Sequence, residues 1–185
     1  TDEEIAGGIL TPEILWKFNR IGGYALSPDG ESVVFSLTKY SLEANKGQTH
    51  IYLIPAKGGD MTQLTSGSMS CYHPEWIEDG SRIAYLTADE DGTQVWSMNL
   101  EGKDAKKLTS IEGGINHYDI APNGEKLLYC ADVKLEDNTQ DIYPDLPEAN
   151  VHMATELMYR HWNHWEDDAY SHIFVAKLDG LVTEG

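Results

Sequence analysis

The residues best equipped for chemistry lie together in Tyr159-Arg160-His161-Trp162-Asn163-His164-Trp165-Glu166. Aromatic rings mixed with an arginine and a carboxylate can build a recognition surface. The guanidinium fork of Arg160 suits a carboxylate or a carbonyl, and Glu166 suits an ammonium. His161, Trp162 and Trp165 complete the candidate substrate-binding set. The competing reading makes the indoles core and the charges a solvated rim. Four histidines, His152, His161, His164 and His172, lie in or beside this run, with Asp167 and Asp168 just after it. Zinc needs three or four ligands converging at about 2 Å. Histidines three apart with scattered carboxylates do not define such a site, so neither a metal nor a cofactor is expected.

Elsewhere the chain offers little. Asp89-x-Asp91-Gly92 resembles a calcium loop in its first positions but lacks the distal glutamate, so a plain hairpin turn is the expectation. Gly67-Ser68-Met69 is not a Gly-x-Ser-x-Gly nucleophile elbow, and none occurs. Phosphate-binding glycine loops, His-Glu-x-x-His and Cys-x-x-Cys are also missing from the sequence. No catalytic residue is therefore expected within these 185 residues. Thirteen basic against thirty-one acidic residues give a formal net charge of −18, a field that repels nucleic acid. No apolar run approaches the roughly 20 residues of a membrane span. Cys71 and Cys130 cannot make a disulfide framework and read as two buried thiols.

What must position the candidate residues is a repeat. Ser27-Pro28-Asp29-Gly30-Glu31-Ser32-Val33-Val34-Phe35 returns as Ile77-Glu78-Asp79-Gly80-Ser81-Arg82-Ile83-Ala84-Tyr85, and again as Ala121-Pro122-Asn123-Gly124-Glu125-Lys126-Leu127-Leu128-Tyr129. Each copy is an Asp-Gly or Asn-Gly turn, then an apolar run that reads as a strand buried on both faces. The turn glycines, Gly30, Gly80 and Gly124, recur after 50 and then 44 residues. Leu64-Thr65-Ser66 and Leu108-Thr109-Ser110 repeat as a closing phrase. A repeat of roughly 40–50 residues holding several short strands points to a β-propeller. The expected fold is all-β: a partial propeller of about three four-stranded antiparallel blades, near residues 23–66, 67–110 and 111–185, with a short N-terminal helix and a partly helical insert in the third blade. Residues 1–22 form a separate N-terminal segment. Within it, Thr11-Pro12-Glu13 signals a helix start. Gly22-Gly23 signals its stop, and the helix is expected to pack on the propeller as a plug.

In the third copy, roughly 40 residues, 133–171, stand where the second copy needs a handful. Residues 133–147 are acidic and polar, and read as partly disordered. Val151, Ala154, Met158, His161, Trp162 and Trp165 then fall at helical spacing. The sequence ends inside what should be the fourth strand of the third blade. Three blades cannot close a ring. The chain therefore reads as an N-terminal piece of a longer protein, or else as copies that pair through open sheet edges.

The Pro-Asp-Gly repeats resemble those of the prolyl oligopeptidase family and of TolB-type proteins. Leu10-Thr11-Pro12-Glu13, Phe18-Asn19-Arg20-Ile21-Gly22 and Ala25-Leu26-Ser27-Pro28-Asp29-Gly30 narrow the likeness. So do Met158 through Trp165 and Ser171-His172-Ile173-Phe174-Val175. These resemble the bacterial acylaminoacyl-peptidase and dipeptidyl-peptidase V branch. The resemblance implies a periplasmic or secreted serine peptidase whose own C-terminal α/β-hydrolase domain carries the Ser, Asp and His triad. The partner would be a peptide substrate of the full-length protein, which the propeller gates and helps select. Glu166 is the candidate for the substrate ammonium by analogy with dipeptidyl peptidase IV. The alternative is a TolB-like propeller without enzymatic activity, presenting a face to protein partners.

Overall fold

The structure, a computed structural model, describes residues 6–149, 151–154, 157, 160–165 and 168–184. Three antiparallel sheets follow one another along the chain. Blade one holds β1 (Arg20–Leu26), β2 (Ser32–Ser41), β3 (Lys46–Pro55) and β4 (Thr62–Gln63), in that spatial order. Blade two repeats the order with β5 (Cys71–Ile77), β6 (Arg82–Asp89), β7 (Gly92–Asn99) and β8 (Lys106–Lys107). Blade three has β9 (His117–Ile120), β10 (Lys126–Lys134) and a later strand over Ala169–Lys177. The sheets do not close into a ring, so the architecture is the expected partial propeller.

The repeated sequence phrases have repeated physical roles. At the first turn, Gly30 N–H donates to the Ser27 carbonyl at 2.9 Å, and Glu31 N–H donates to Asp29 Oδ1 at 3.0 Å. At the third, Gly124 N–H donates to the Ala121 carbonyl at 2.7 Å, and Glu125 N–H to Asn123 Oδ1 at 3.2 Å. In these two copies glycine alone enters the left-handed region, which it does without a Cβ clash. The second copy has no Pro at this point, and Glu78 and Asp79 take positive φ as well. Cross-strand pairs recur in register: Phe35 opposite Tyr52, Tyr85 opposite Trp96, Tyr129 opposite Phe174. The closing threonines finish each outer edge. Thr65 Oγ1 accepts from Ile51 N–H, and Thr109 Oγ1 from Val95 N–H, both at 2.9 Å. A hydroxyl thus replaces the next rung of the ladder, which a buried N–H requires.

Blade two lies between the other two, and its Arg82–Leu86 run is buried throughout. Blade three has one neighbour among the described residues, and β10 alternates: Leu127, Tyr129 and Ala131 are buried while the residues between them are less so. One core cluster joins blades one and two around Val34, Ile51, Ile83 and Met98. Another joins blades two and three around Leu86, Val95, Tyr118 and Leu127. The first strands lie innermost and carry the ties between blades. Trp76 Nε1 donates to the Ala25 carbonyl at 3.0 Å, and Tyr118 Oη donates to the His73 carbonyl at 2.9 Å.

Three expectations need correction. The N-terminal helix, α1 (Pro12–Lys17), starts where the sequence says, with Thr11 Oγ1 accepting from Ile14 N–H at 3.3 Å. It ends at Lys17, and Gly22-Gly23 lies inside β1 instead of stopping it. A Cβ at residue 22 would sit 2.5 Å from Ser36 Oγ, so that glycine serves a close strand approach. None of the helix is buried; Trp16 meets Tyr40 edge to face at 5.1 Å, so α1 leans on one hairpin and plugs nothing. The same hairpin is polar and exposed at its tip, paired from Lys39 opposite Gln48 to Ser41 opposite Lys46. Finally, blade three shows three strands among the described residues. Past its last strand the chain crosses to blade two, where Val182 bridges Thr109 in parallel and buries its side chain in the inter-blade core.

Candidate functional site

An antiparallel meander puts its first and third turns at one end and its second turn and blade-to-blade links at the other. The insert replaces the second turn of blade three. It therefore rises from the end opposite the Pro-Asp-Gly turns. Its neck is fastened where Leu135 and Glu136 N–H groups both reach the Asp168 carbonyl, at 2.9 and 3.3 Å.

Past the neck comes α2 (Thr139–Ile142), inside the stretch expected to be disordered. Asn138 makes it possible. Its Oδ1 accepts from Asp141 N–H at 3.0 Å, and Asp141 Oδ2 accepts from Asn138 N–H at 2.8 Å, a reciprocal capping box. Lys134 pairs with Asp141 and holds that carboxyl below its ordinary range. Asn138 Nδ2 also donates to Asp168 Oδ2 at 3.2 Å, tying the cap to the neck. A cavity of about 210 Å³ opens beside these groups, lined by Asp137, Gln140, Val151, His152, Met153 and Asp168.

The aromatic run is a hairpin: β11 (Arg160–His161) pairs with β12 (His164–Trp165), and the blade resumes with β13 (Ala169–Lys177). The expected helical face does not form over these residues. Trp162 takes φ +50° at the tip, which a helix forbids, and His161 faces His164 across the register. The hairpin still gathers what the sequence singled out. The Arg160 guanidinium lies 5.0 Å from the Trp165 ring centroid, a cation–π distance. His152 stacks on Trp165 at 4.4 Å with the planes 14° apart, joining hairpin to cavity wall. Arg160 Nε donates to the Trp162 carbonyl at 3.1 Å, while its two terminal nitrogens have no hydrogen-bond partner among the described residues. Trp162 is 86% exposed, and its ring is 6.5 Å from that of His161. Arg160, His161, Trp162 and Trp165 are thus brought together. Glu166 lies outside the described residues.

The Asp89-x-Asp91 pair is not a calcium loop. Lys107 Nζ reaches Asp89 at 2.9 Å and Asp91 at 2.8 Å, occupying the position a cation would need. Among the described residues no three His, Cys, Asp or Glu side chains are arranged to hold a metal ion. Cys71 and Cys130 are free thiols, the first buried and the second half-buried.

One constellation escaped the sequence reasoning. His73-Pro74-Glu75 and His117-Tyr118-Asp119 are the same His-x-acid phrase, 44 residues apart, on the innermost strands of adjacent blades. His73 Nε2 lies 3.4 Å from Glu75 Oε1, and Glu75 Oε2 accepts from Ile120 N–H at 3.3 Å. The 44-residue spacing that aligns the turns also aligns these residues, so the signal was available.

The TolB beta propeller domain family matches this sequence over residues 17–179. The chain belongs to that family. This TolB-type propeller is 40% identical to dipeptidyl-peptidase 5 of Porphyromonas endodontalis over 100% of its own length and 27% of the relative's. It is 35% identical to dipeptidyl-peptidase 5 of Porphyromonas gingivalis over 97% of its length and 26% of the relative's. The chain thus spans about a quarter of the curated relatives it matches. Its fold is similar to part of the Pyrococcus horikoshii acylaminoacyl peptidase, with a TM-score of 0.66 and 19% identity over 88% of this chain and 24% of that one.

Proposed function

We propose that this propeller serves a dipeptidyl-peptidase-type serine peptidase as the part that gates and helps select peptide substrates. The nucleophile, base and acid would come from an α/β-hydrolase domain further along the polypeptide. The observation that carries the reading is the Arg160–Trp165 hairpin. It holds a guanidinium against an indole, with no hydrogen-bond partner for its terminal nitrogens among the described residues, beside an exposed Trp162, on the insert that rises from the second-turn end of blade three. A fork of donors with its orientation fixed by stacking suits a backbone carbonyl or carboxylate of an extended peptide. The exposed indole suits a substrate side chain. The identity to the two dipeptidyl-peptidases supports the reaction class.

Within this reading Glu166 takes the substrate ammonium. The test is steady-state kinetics of the full-length protein on dipeptide-release substrates. Arg160→Ala and Trp162→Ala should each lower kcat/KM by about tenfold or more, a loss of about 1.4 kcal/mol of transition-state stabilisation. Glu166→Ala should raise KM for free-amine substrates and not for blocked ones. Unchanged kinetics in all three variants would remove the hairpin from substrate selection.

A further inference from the structure

The two joints between blades differ at the end that carries the Pro-Asp-Gly turns. Between blades one and two the joint is shut. A Cβ at Gly80 would stand 3.0 Å from Pro28, and one at Gly102 would stand 2.2 Å from the Leu64 carbonyl oxygen. Between blades two and three the repeat places Gly124 and Gly180 at the same two positions. A Cβ there would meet nothing within 4 Å. The residue that fills the first joint is Trp76, packed into the core between blades one and two. Its counterpart 44 residues on is Ile120, which lacks the volume of an indole. The chain after β13 lines the gap with Gly180 and Leu181 before joining blade two at Val182.

The result is a cavity of about 700 Å³, within the range of roughly 300–1,000 Å³ usual for small-molecule sites. Its walls are apolar: Ile77, Leu108, Ile120, Leu178 and Leu181. Its rim carries charge of both signs. Glu78, Asp79, Lys106 and Lys107 are among the residues that line it. Lys107 is held by Asp89 and Asp91 at the second-turn end, while among the described residues Lys106 pairs with Asp104 alone, at 3.5 Å. Among the described residues the Glu78 carboxylate pairs with Arg82 alone, at 4.0 Å.

We infer that this cavity binds a small zwitterionic aromatic ligand of amino-acid size. The ring would enter between blades two and three as the Trp76 indole enters between blades one and two. The ligand carboxylate would meet Lys106 and its ammonium Glu78 and Asp79, which is the charge complementarity the rim provides. The site lies at the end of the blades opposite the insert and is separate from the hairpin.

Calorimetric titration of the full chain with L-tryptophan, and with indole as the uncharged probe, tests this. One-to-one binding of L-tryptophan at millimolar concentration or below is expected, with indole weaker by about tenfold or more. Ile120→Trp should raise the melting temperature and abolish binding of both probes. Lys106→Glu, on the surface, should weaken L-tryptophan by about tenfold and leave indole unchanged. The inference fails if L-tryptophan gives no saturable heat at millimolar concentration, if indole binds as tightly, or if Lys106→Glu changes nothing. A folded Ile120→Trp variant that still binds would also overturn it.

Discussion

His73 and His117 meet edge to face across the joint between blades two and three, with ring centroids 4.4 Å apart. His73 bonds to Glu75, which raises its pKa above the ordinary imidazole value against the opposing effect of burial; the contact with Tyr118 and the charge of Asp119 add to the rise. The charged form is therefore favoured in the fold. Its contribution to stability is fully present below the unfolded value of about 6.5 and is lost as pH rises through the raised folded value. The share of the melting temperature that His73 supplies should fall as pH rises above about 6.5 through that raised value. His73 sits at φ +53°, where asparagine is tolerated. His73→Asn should thus keep the backbone and flatten that slope, as followed by circular dichroism at each pH. An equal slope in the variant would take His73 out of the pH response.

The closing threonines make a second expectation. Thr109 is fully buried, accepts from Val95 N–H and donates to Gln94 Oε1 at 2.8 Å. Thr109→Val keeps the shape but strands the buried Val95 N–H and leaves Gln94 Oε1 with the Ile111 N–H alone, which should cost about 1–3 kcal/mol. Urea unfolding should show a lower midpoint with an unchanged slope. Thr65→Val should behave alike, since Thr65 Oγ1 plays the same part toward Ile51.

The repeat made the propeller legible because its turns are written in residue types that only certain backbone conformations use. Gly30 and Gly124 have positive φ, and the strands after them bury the aromatics at matching registers. The insert was legible as a location and not as a structure. Its spacing fits a helix, but His161 and Trp162 belong to a hairpin whose tip requires positive φ at a tryptophan, a conformation that side-chain type does not announce. Gly22-Gly23 misled for a related reason. Glycine before a strand signals a helix stop and a close approach equally well, and only the position of Ser36 distinguishes them. The open joint was also hidden, because an isoleucine in place of a tryptophan is unremarkable until the two joints are compared.

The lysine between Asp89 and Asp91 yields a third expectation. Lys107 also holds Asp91 below its ordinary carboxyl range, with Ser110 Oγ donating to the same oxygen at 3.1 Å. An ammonium bonded to both carboxylates leaves no room for a hard cation. Calcium at millimolar concentration should leave the wild-type melting temperature unchanged. Lys107→Met should lower it, because two carboxylates then face each other across a two-residue turn. Calcium stabilisation of the wild type would show that the lysine yields to a metal.

The first joint can be turned into the second. Trp76 fills the space between blades one and two, and its indole N–H satisfies the Ala25 carbonyl. Trp76→Ala should cost about 3–5 kcal/mol through lost burial and the cavity left behind. Trp76→Ile gives this joint the residue that blade three carries, and should cost less because part of the apolar volume returns. If packing between blades sets the width of each joint, Trp76→Ile should also create a binding site for indole between blades one and two, detectable as a second saturable site by calorimetry. Collapse of the joint without new binding, seen as a small stability loss and an unchanged titration, would mean that Gly80 against Pro28 and Gly102 against Leu64 close it without the tryptophan.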